Sequence, residues 1–457
     1  MGLINWARGF FGGRDRLAGE ILEREFGAAA AASPLDAKNR RLWWDMYVNH
    51  PPWENCEVRP LGLPGAIGRE LARQTLTEFR LSLSGGERAA FLNRQMLAAE
   101  KNFLRCLELG LCLGGIALKP CLENGRLLVD VSDFTPTRFD GEGRAIGGAF
   151  RSAPVQEGKQ WFVRLEFHDF PPDRDGLYVI RNKAFYCSPD GFPAQPAPLE
   201  CVPEWAGLAP ETVIQGLHGP LFACFKPPEA NAEEPGSRLG ASVYAGAAAE
   251  LIRQADEQWR MIRWEYESGK RRIYVDGVDA GQFNDEIFVV GPFSKDGNFF
   301  DVFSPEFRDA PLYGGFQRIL QRIEFQVGLA YGTISDPQSV EKTATEVLAA
   351  KHRQYVTVRG IQKAFQATLE DLLLAMDAWC DLTGLAPEGD YAAKFSWGDG
   401  VLDDPDTRRA EMSIDMSQVH AGLMNDWEFR MKWRGEDEET AKAMLPKMEG
   451  LVTNEVS

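Results

Sequence analysis

Between two stretches of helical periodicity, residues 269–305 read as short strands: "GKRRIYVDG", "DEIFVVGPF" and "NFFDVF". Chains below roughly 40 residues seldom sustain a core unaided. Such a tip has to lean on neighbours, and the nearest candidates are other copies of the same chain. Closed rings give every copy the same contacts. The insert therefore points to an assembly rather than to a solitary globule.

Its flanks are long. From Ser242 to Ser268, Leu251, Ile252, Ala255, Trp259, Ile262 and Tyr266 fall on one helical stripe, and a helix of that length spans on the order of 40 Å. A second helix is expected over 311–330. The polar stretch "GLAYGTISDPQSVEKTATEV" follows at 328–347, punctuated by Gly332 and Pro337, and reads as a flexible loop. A very long helical pattern then runs over 339–383, with Ile361, Phe365, Leu369, Leu372, Met376 and Trp379 on its stripe and Gly360 as an expected kink.

Upstream, residues 1–40 combine an amphipathic start with the Ala-rich "FGAAAAASPLD" and read as an arm docked onto something else. Trp43, Trp44, Tyr47 and Trp53 crowd around a double proline. With only Arg40 and Arg41 beside them, they suit a core or subunit interface better than a base-stacking platform. Helices are expected over 63–79 and 87–109, the second stopped by Gly114 and Gly115. Then the period changes. In "KQWFVRLEFHDF", Trp161, Val163, Leu165 and Phe167 alternate with Arg164, Glu166 and His168, and "GRLLVDVSDFTPTRF" and "DGLYVIRNKAFYC" are also strand-like. Together they predict an antiparallel meander with one wet face. Short helices over 407–419, 425–433 and 438–448 close the chain.

A formal charge of −17 weighs against gripping DNA, because sequence-independent binding displaces counterions with Lys and Arg. An acidic chain can still surround a duplex. The 8 cysteines include no CxxC pair and read as reduced, buried thiols of a cytosolic protein. No apolar run approaches the roughly 18 residues of a membrane span, so a soluble protein without a membrane partner is expected. GxxxxGK[ST], HExxH and GxSxG are absent from the sequence. The 5 histidines are widely spaced and read as structural or surface residues. No catalytic, cofactor-binding or metal residue is assigned, and no enzyme activity is expected. "GKRR" at 269–272 suits a solvated helix end, with a phosphate or partner contact as the alternative. "LDDP" at 402–405 suits a turn with an N-cap carboxylate better than a metal-binding acid pair.

Taken in order, "LWWDMYVNHPPW", "GGIALKPCLENGRLLVDVSDFTPTRF", "VRLEFH", "YVIRNKAFY", "GPLFACFKPPEAN", "LGASVYAGAAAELIRQAD", "KRRIYV", "GLAYGTIS", "KTATEV" and "AGLMNDWEFRMKWRGEDEETA" resemble the portal proteins of tailed bacteriophages, in the branch typical of long-tailed phages of Gram-positive bacteria. The resemblance covers nearly the whole chain from about residue 40. It implies an α+β portal fold: an N-terminal arm (1–39), a wing (40–238), stem helices (239–268 and 306–330), a clip (269–305), a tunnel loop (331–341), a long kinked wing helix with a returning segment (342–403) and a short helical crown (404–457).

The function implied is a dodecameric ring at one capsid vertex of the virion, made in the bacterial cytoplasm, through which double-stranded DNA is packaged and ejected. Implied partners are the terminase large subunit, a head-completion adaptor, the major capsid protein and a scaffolding protein. Thr333, Ser335, Asp336, Gln338 and Ser339 would face the duplex from the tunnel loop. Arg253, Arg260 and Arg263 are stem candidates for basic rings or intersubunit salt bridges. Lys270, Arg271, Arg272, Phe288 and Phe293 would form the clip interface. A dodecamer carries on the order of −200 charges, and a wall biased negative lets a duplex slide. The alternatives are a tail or baseplate component, and a metal-dependent hydrolase or nuclease built from dispersed acids.

Overall fold

Residues 116–225 supply one nine-stranded sheet, the centre of a mixed α+β architecture. The computed structural model describes residues 15–123, 125–172, 176–189, 191–270, 272–275, 288–290, 300–337, 344–398 and 405–445. The described chain divides into two units between Gly398 and Asp399.

In the first unit, α1 (Asp15–Phe26) and α2 (Pro34–Tyr47) precede α3 (Leu63–Leu76), β1 (Arg80–Gly85), α4 (Glu87–Glu100) and α5 (Phe103–Leu113). The single helix expected over 87–109 is thus two helices, broken at Lys101 and Asn102, and the second continues to Leu113. Gly114 ends it with φ +74°, a left-handed conformation that suits glycine. The helix expected to reach Phe79 stops at Leu76. Ser33 and Asp36 form a capping box at the start of α2, six residues before the expected wing boundary at 40.

The sheet strands are β2 (Ile116–Glu123), β3 (Arg126–Phe139), β4 (Ala145–Arg151), β5 (Val155–Glu157), β6 (Gln160–Asp169), β7 (Tyr178–Cys187), β8 (Pro193–Ala197), β9 (Glu211–Ile214) and β10 (Ala223–Phe225). Their order is β10-β2-β3-β4-β6-β7-β8, with β5 on β6 and β9 on β7, and every pairing is antiparallel. The predicted meander is therefore present. β3 pairs with β2 through Arg126–Ser132 and with β4 through Asp133–Phe139, so one strand serves both halves of the sheet. The face carrying Val163, Leu165 and Phe167 is covered by Ile21, Leu22 and Phe26 of α1. The segment read as an arm reaching elsewhere thus docks, over residues 15–26, on its own chain.

A helical hairpin follows, built from α6 (Ala247–Ser268) and α7 (Asp309–Gln326). Both are shorter than their sequence patterns suggested. At its end lie β11 (Arg272–Val275), β12 (Phe288–Val290) and β13 (Phe300–Phe303), in the order β12-β11-β13. β11 is parallel to β12 and antiparallel to β13. The strand-bearing insert is real.

Next, α8 (Ala344–Thr383) is continuous helix through Gly360, which faces Pro228. Its stripe of Ile361, Phe365, Leu369, Leu372 and Met376 is completely buried, and each such side chain gains about 2 kcal/mol from burial. This core also takes in Trp43, Trp44, Ile67 and Leu107 and the inner faces of α6 and α7. The tryptophan cluster is core, as its composition implied. β14 (Tyr391–Ser396) returns to pair antiparallel with β1. Arg88, only 2 % exposed, ties α4 to the end of α8: it contacts Asp377 at 2.7 Å and Asp381 at 2.5 Å and donates to the Pro387 carbonyl.

The second unit contains α9 (Pro405–His420), α10 (Asp426–Arg434) and α11 (Glu438–Ala443). Asp415 receives Trp433 Nε1 at 2.9 Å and pairs with Lys432, and Asn425 with Glu428 caps α10. The turn expected over 402–405 falls mostly outside the described residues.

Candidate functional site

The hairpin is fixed at both ends by a carboxylate that receives backbone N–H groups. At the end near the small sheet, Glu265 accepts the Arg308 backbone N–H at 3.0 Å and the Arg308 guanidinium at 2.8 Å. At the other end, Glu324 is completely buried beneath the turn that follows α7. It accepts N–H groups from Gly332 (3.1 Å), Ile334 (2.6 Å) and Ser335 (2.8 Å), and the Ser335 hydroxyl at 2.8 Å. A buried carboxylate is tolerated when donors surround it. Gln317 takes the Asp336 N–H at 2.8 Å, one helical stretch further back.

The loop read as flexible is accordingly pinned over 332–336. Ser335, expected to face a duplex, is turned inward and is 4 % exposed, because Glu324 claims both of its donors. Thr333 and Asp336 are exposed, although the Thr333 hydroxyl donates to the Ala330 carbonyl at 2.7 Å. Gln338 and Ser339 lie outside the described residues. Gly328 has φ +75°, and a Cβ there would meet Thr357 Oγ1 at 2.2 Å, so the turn lies tightly against α8. Arg353 of α8 stacks over Phe325 (4.5 Å) and Tyr331 (5.3 Å), adding cation–π contacts.

The three arginines singled out on α6 are already neutralised. Arg253 pairs with Glu250 and Glu257, Arg260 with Glu57 at 3.6 Å, and Arg263 with Glu267 at 3.7 Å. On α7, by contrast, Arg318 and Arg322 are exposed one turn apart. Among the described residues neither makes an ion pair or hydrogen bond. They share a groove with Leu251, Gln254, Phe325 and Tyr331, directly beside the pinned turn. The sequence signal for Glu324 is an acid one turn beyond Leu320 on an otherwise apolar stripe.

Around the small sheet, Lys270 and Arg272 are exposed, Phe288 belongs to β12, and Arg271 and Phe293 lie outside the described residues. The hairpin also leaves large apolar side chains in solvent: Met261, Trp264, Tyr266, Phe307 and Phe325. Tyr266 is thus exposed rather than buried, its ring tilted against that of Phe307 with centroids 5.4 Å apart. Trp259 is half-buried against Phe316, and Ile262 is fully inside.

Elsewhere, the densest titratable cluster sits inside the sheet. Glu166 contacts Lys119 (2.9 Å), Arg164 (2.9 Å) and His168 Nε2 (2.7 Å). His168 Nδ1 faces the Tyr178 hydroxyl at 2.7 Å, and that hydroxyl accepts the Leu221 N–H. The pattern assigns the neutral tautomer with the proton on Nε2. Burial pushes the His168 pKa down, against the pull of Glu166. Burial raises the Glu166 carboxyl, yet Lys119 and His168 bring it well below the ordinary range. Phe150 and Phe222 pack edge-on against the imidazole, so the cluster reads as a structural network.

Among the described residues no three His, Cys, Asp or Glu side chains converge as a metal set, and no helix is long and apolar enough to cross a membrane. The cysteines are free; Cys106, Cys112 and Cys380 are buried as expected, whereas Cys56 is exposed. Compared with protein-family models and with curated proteins, the chain matches none.

Proposed function

We propose that this chain is a ring-forming structural protein of the phage-portal type, a passive conduit for double-stranded DNA and a docking platform for packaging and head-completion proteins. The observation that carries the reading is the hairpin of α6 and α7 with its three-stranded end. That end has three strands of four residues or fewer. Val302 and Phe303 on it are exposed. Below it, Met261, Trp264 and Leu312 line an apolar groove open to solvent. Apolar surface of this kind calls for a partner, and identical hairpins side by side cover one another.

The turn beside α7 fits a collar role. Pinned by Glu324, it holds Thr333 and Asp336 outward in a fixed pose, and repetition around a ring would present neutral hydroxyls and acids to a passing duplex. Arg318 and Arg322 replace Arg253, Arg260 and Arg263 as the candidate phosphate contacts. A small number of cations on a strongly acidic chain gives weak, salt-sensitive contacts rather than deep wells.

Sizing and end-on electron microscopy of the purified full chain test this directly. Closed rings of on the order of 600 kDa, built from 51.0 kDa chains, are expected. A particle that stays at the mass of one chain with an ordered three-stranded end would overturn the proposal, and sixfold tubes would favour a tail component.

A further inference from the structure

Away from the hairpin, a cavity of about 490 Å³ opens between α2, α5, the turn joining β3 to β4, β10 and α8. That is the size of a binding pocket, roughly 300–1,000 Å³. Trp44, Leu109, Phe134, Phe139 and Phe225 give it an apolar lining. Arg40, Arg105, Arg144, Lys226 and Arg238 also line it, against two carboxylates, Glu142 and Asp371. In a chain of net charge −17 this is a local inversion of sign.

The cations are only partly compensated. Arg144 pairs with Asp371 at 3.2 Å. Lys226 reaches the Arg238 carbonyl at 3.4 Å, and Arg238 donates to the Asp140 carbonyl at 3.2 Å and lies over the Phe139 ring. Carbonyls leave the positive charge uncancelled. Arg40 makes no hydrogen bond or ion pair among the described residues. Three cations on separate segments therefore stand beside an aromatic lining without a carboxylate.

We infer that this cavity docks an acidic peptide segment of another polypeptide, a bulky aromatic or aliphatic side chain filling the apolar space and flanking carboxylates meeting Arg40, Lys226 and Arg238. A compact phosphate suits the site less well, because α5 ends at Gly114 in the same wall and turns its negative pole there. Several separate cations match several carboxylates along one extended chain. The cavity shares no lining residue with α6 or α7.

The test is selection of a displayed random decapeptide library on the full chain, in parallel with the Arg40→Glu/Lys226→Glu variant. Peptides with an apolar anchor flanked by acids should be enriched on the parent alone. A labelled enriched peptide, followed by fluorescence anisotropy, should bind roughly tenfold or more weakly to the variant, and more weakly at about 300 mM than at about 50 mM salt. Arg238→Glu replaces the double variant if that one melts below the parent. Equal enrichment on both proteins, or enriched peptides without acids, overturns the inference. So does saturable binding of dodecanoate with no peptide enriched, which would give the cavity to a small amphiphile. Self-association abolished by the double variant, again with no peptide enriched, would give it to a second copy.

Discussion

The Glu324 carboxylate receives the Ser335 backbone N–H on one oxygen and the Ser335 hydroxyl on the other, each at 2.8 Å, so a single acid on α7 holds one residue of the turn by both of its donors. The same carboxylate holds Gly332 and Ile334. An acid on α7 therefore helps set the path of the chain that follows it.

Replacing Glu324 by Ala leaves these donors buried without an acceptor, at a cost on the order of 3 kcal/mol. Hydrogen exchange at the amides of Gly332, Ile334 and Ser335 should quicken, while amides in the centre of α8 keep their protection. Unchanged exchange at the three amides would mean that the turn is held by something else.

Arg318→Ala with Arg322→Ala should weaken duplex binding in assembled rings, lowering the slope of log K against log salt by about 1 for each phosphate no longer neutralised. Arg253→Ala should leave that slope unchanged, because Glu250 and Glu257 already cancel its charge. Filter binding across a salt series reads both, and the reverse ranking would return the role to α6.

Ile262 and Trp264 sit two residues apart and separate folding from assembly. Ile262 is 1 % exposed and Trp264 55 %. Ile262→Asp buries an unpaired charge and should cost more than about 3 kcal/mol, seen in the melting temperature. Trp264→Asp should leave the single chain's melting within about 0.5 kcal/mol of the parent and still prevent rings. Normal rings from it would remove the exposed groove from the interface.

The sheet makes the fold acid-sensitive. His168 has a folded pKa below its ordinary 6.5, so the unfolded chain binds more protons and stability is lost as pH falls from about 6.5 toward the folded value. Glu166, also lowered, contributes stability present above its ordinary 4.5 and lost as pH falls below it. Thermal melts from pH 7 to 5 should show a decline that His168→Gln flattens. An equal decline in that variant would trace the effect to other groups.

Arg88 links α4 to the end of α8. Arg88→Met strands Asp377, which burial already pushes toward the neutral form, and should cost about 3 kcal/mol, discounted from the fully buried case because Asp381 is half exposed. Chemical denaturation measures it, and a loss below about 1 kcal/mol would make the contact incidental.

Periodicity made the strands 126–139, 160–169 and 178–187, the hairpin helices and the long α8 legible, since each follows from a single repeated contact with the core. The break at Lys101 and Asn102 was not legible, because both halves keep a helical pattern across it. Nor was the pinned turn: its residues look free in sequence, and the acid that holds them lies eight to eleven positions earlier. Charge pairing was hidden for a similar reason. Glu57 neutralises Arg260 from a distant segment, so choosing arginines by spacing picked those already satisfied and passed over Arg318 and Arg322.

β3 has a consequence for anyone dissecting the molecule. Its first seven residues belong to one half of the sheet and its last seven to the other, so no cleavage point between Ile116 and Phe225 yields two self-sufficient fragments. Shortened versions ending in that interval should come out insoluble, each with a raw strand edge in search of its missing neighbour.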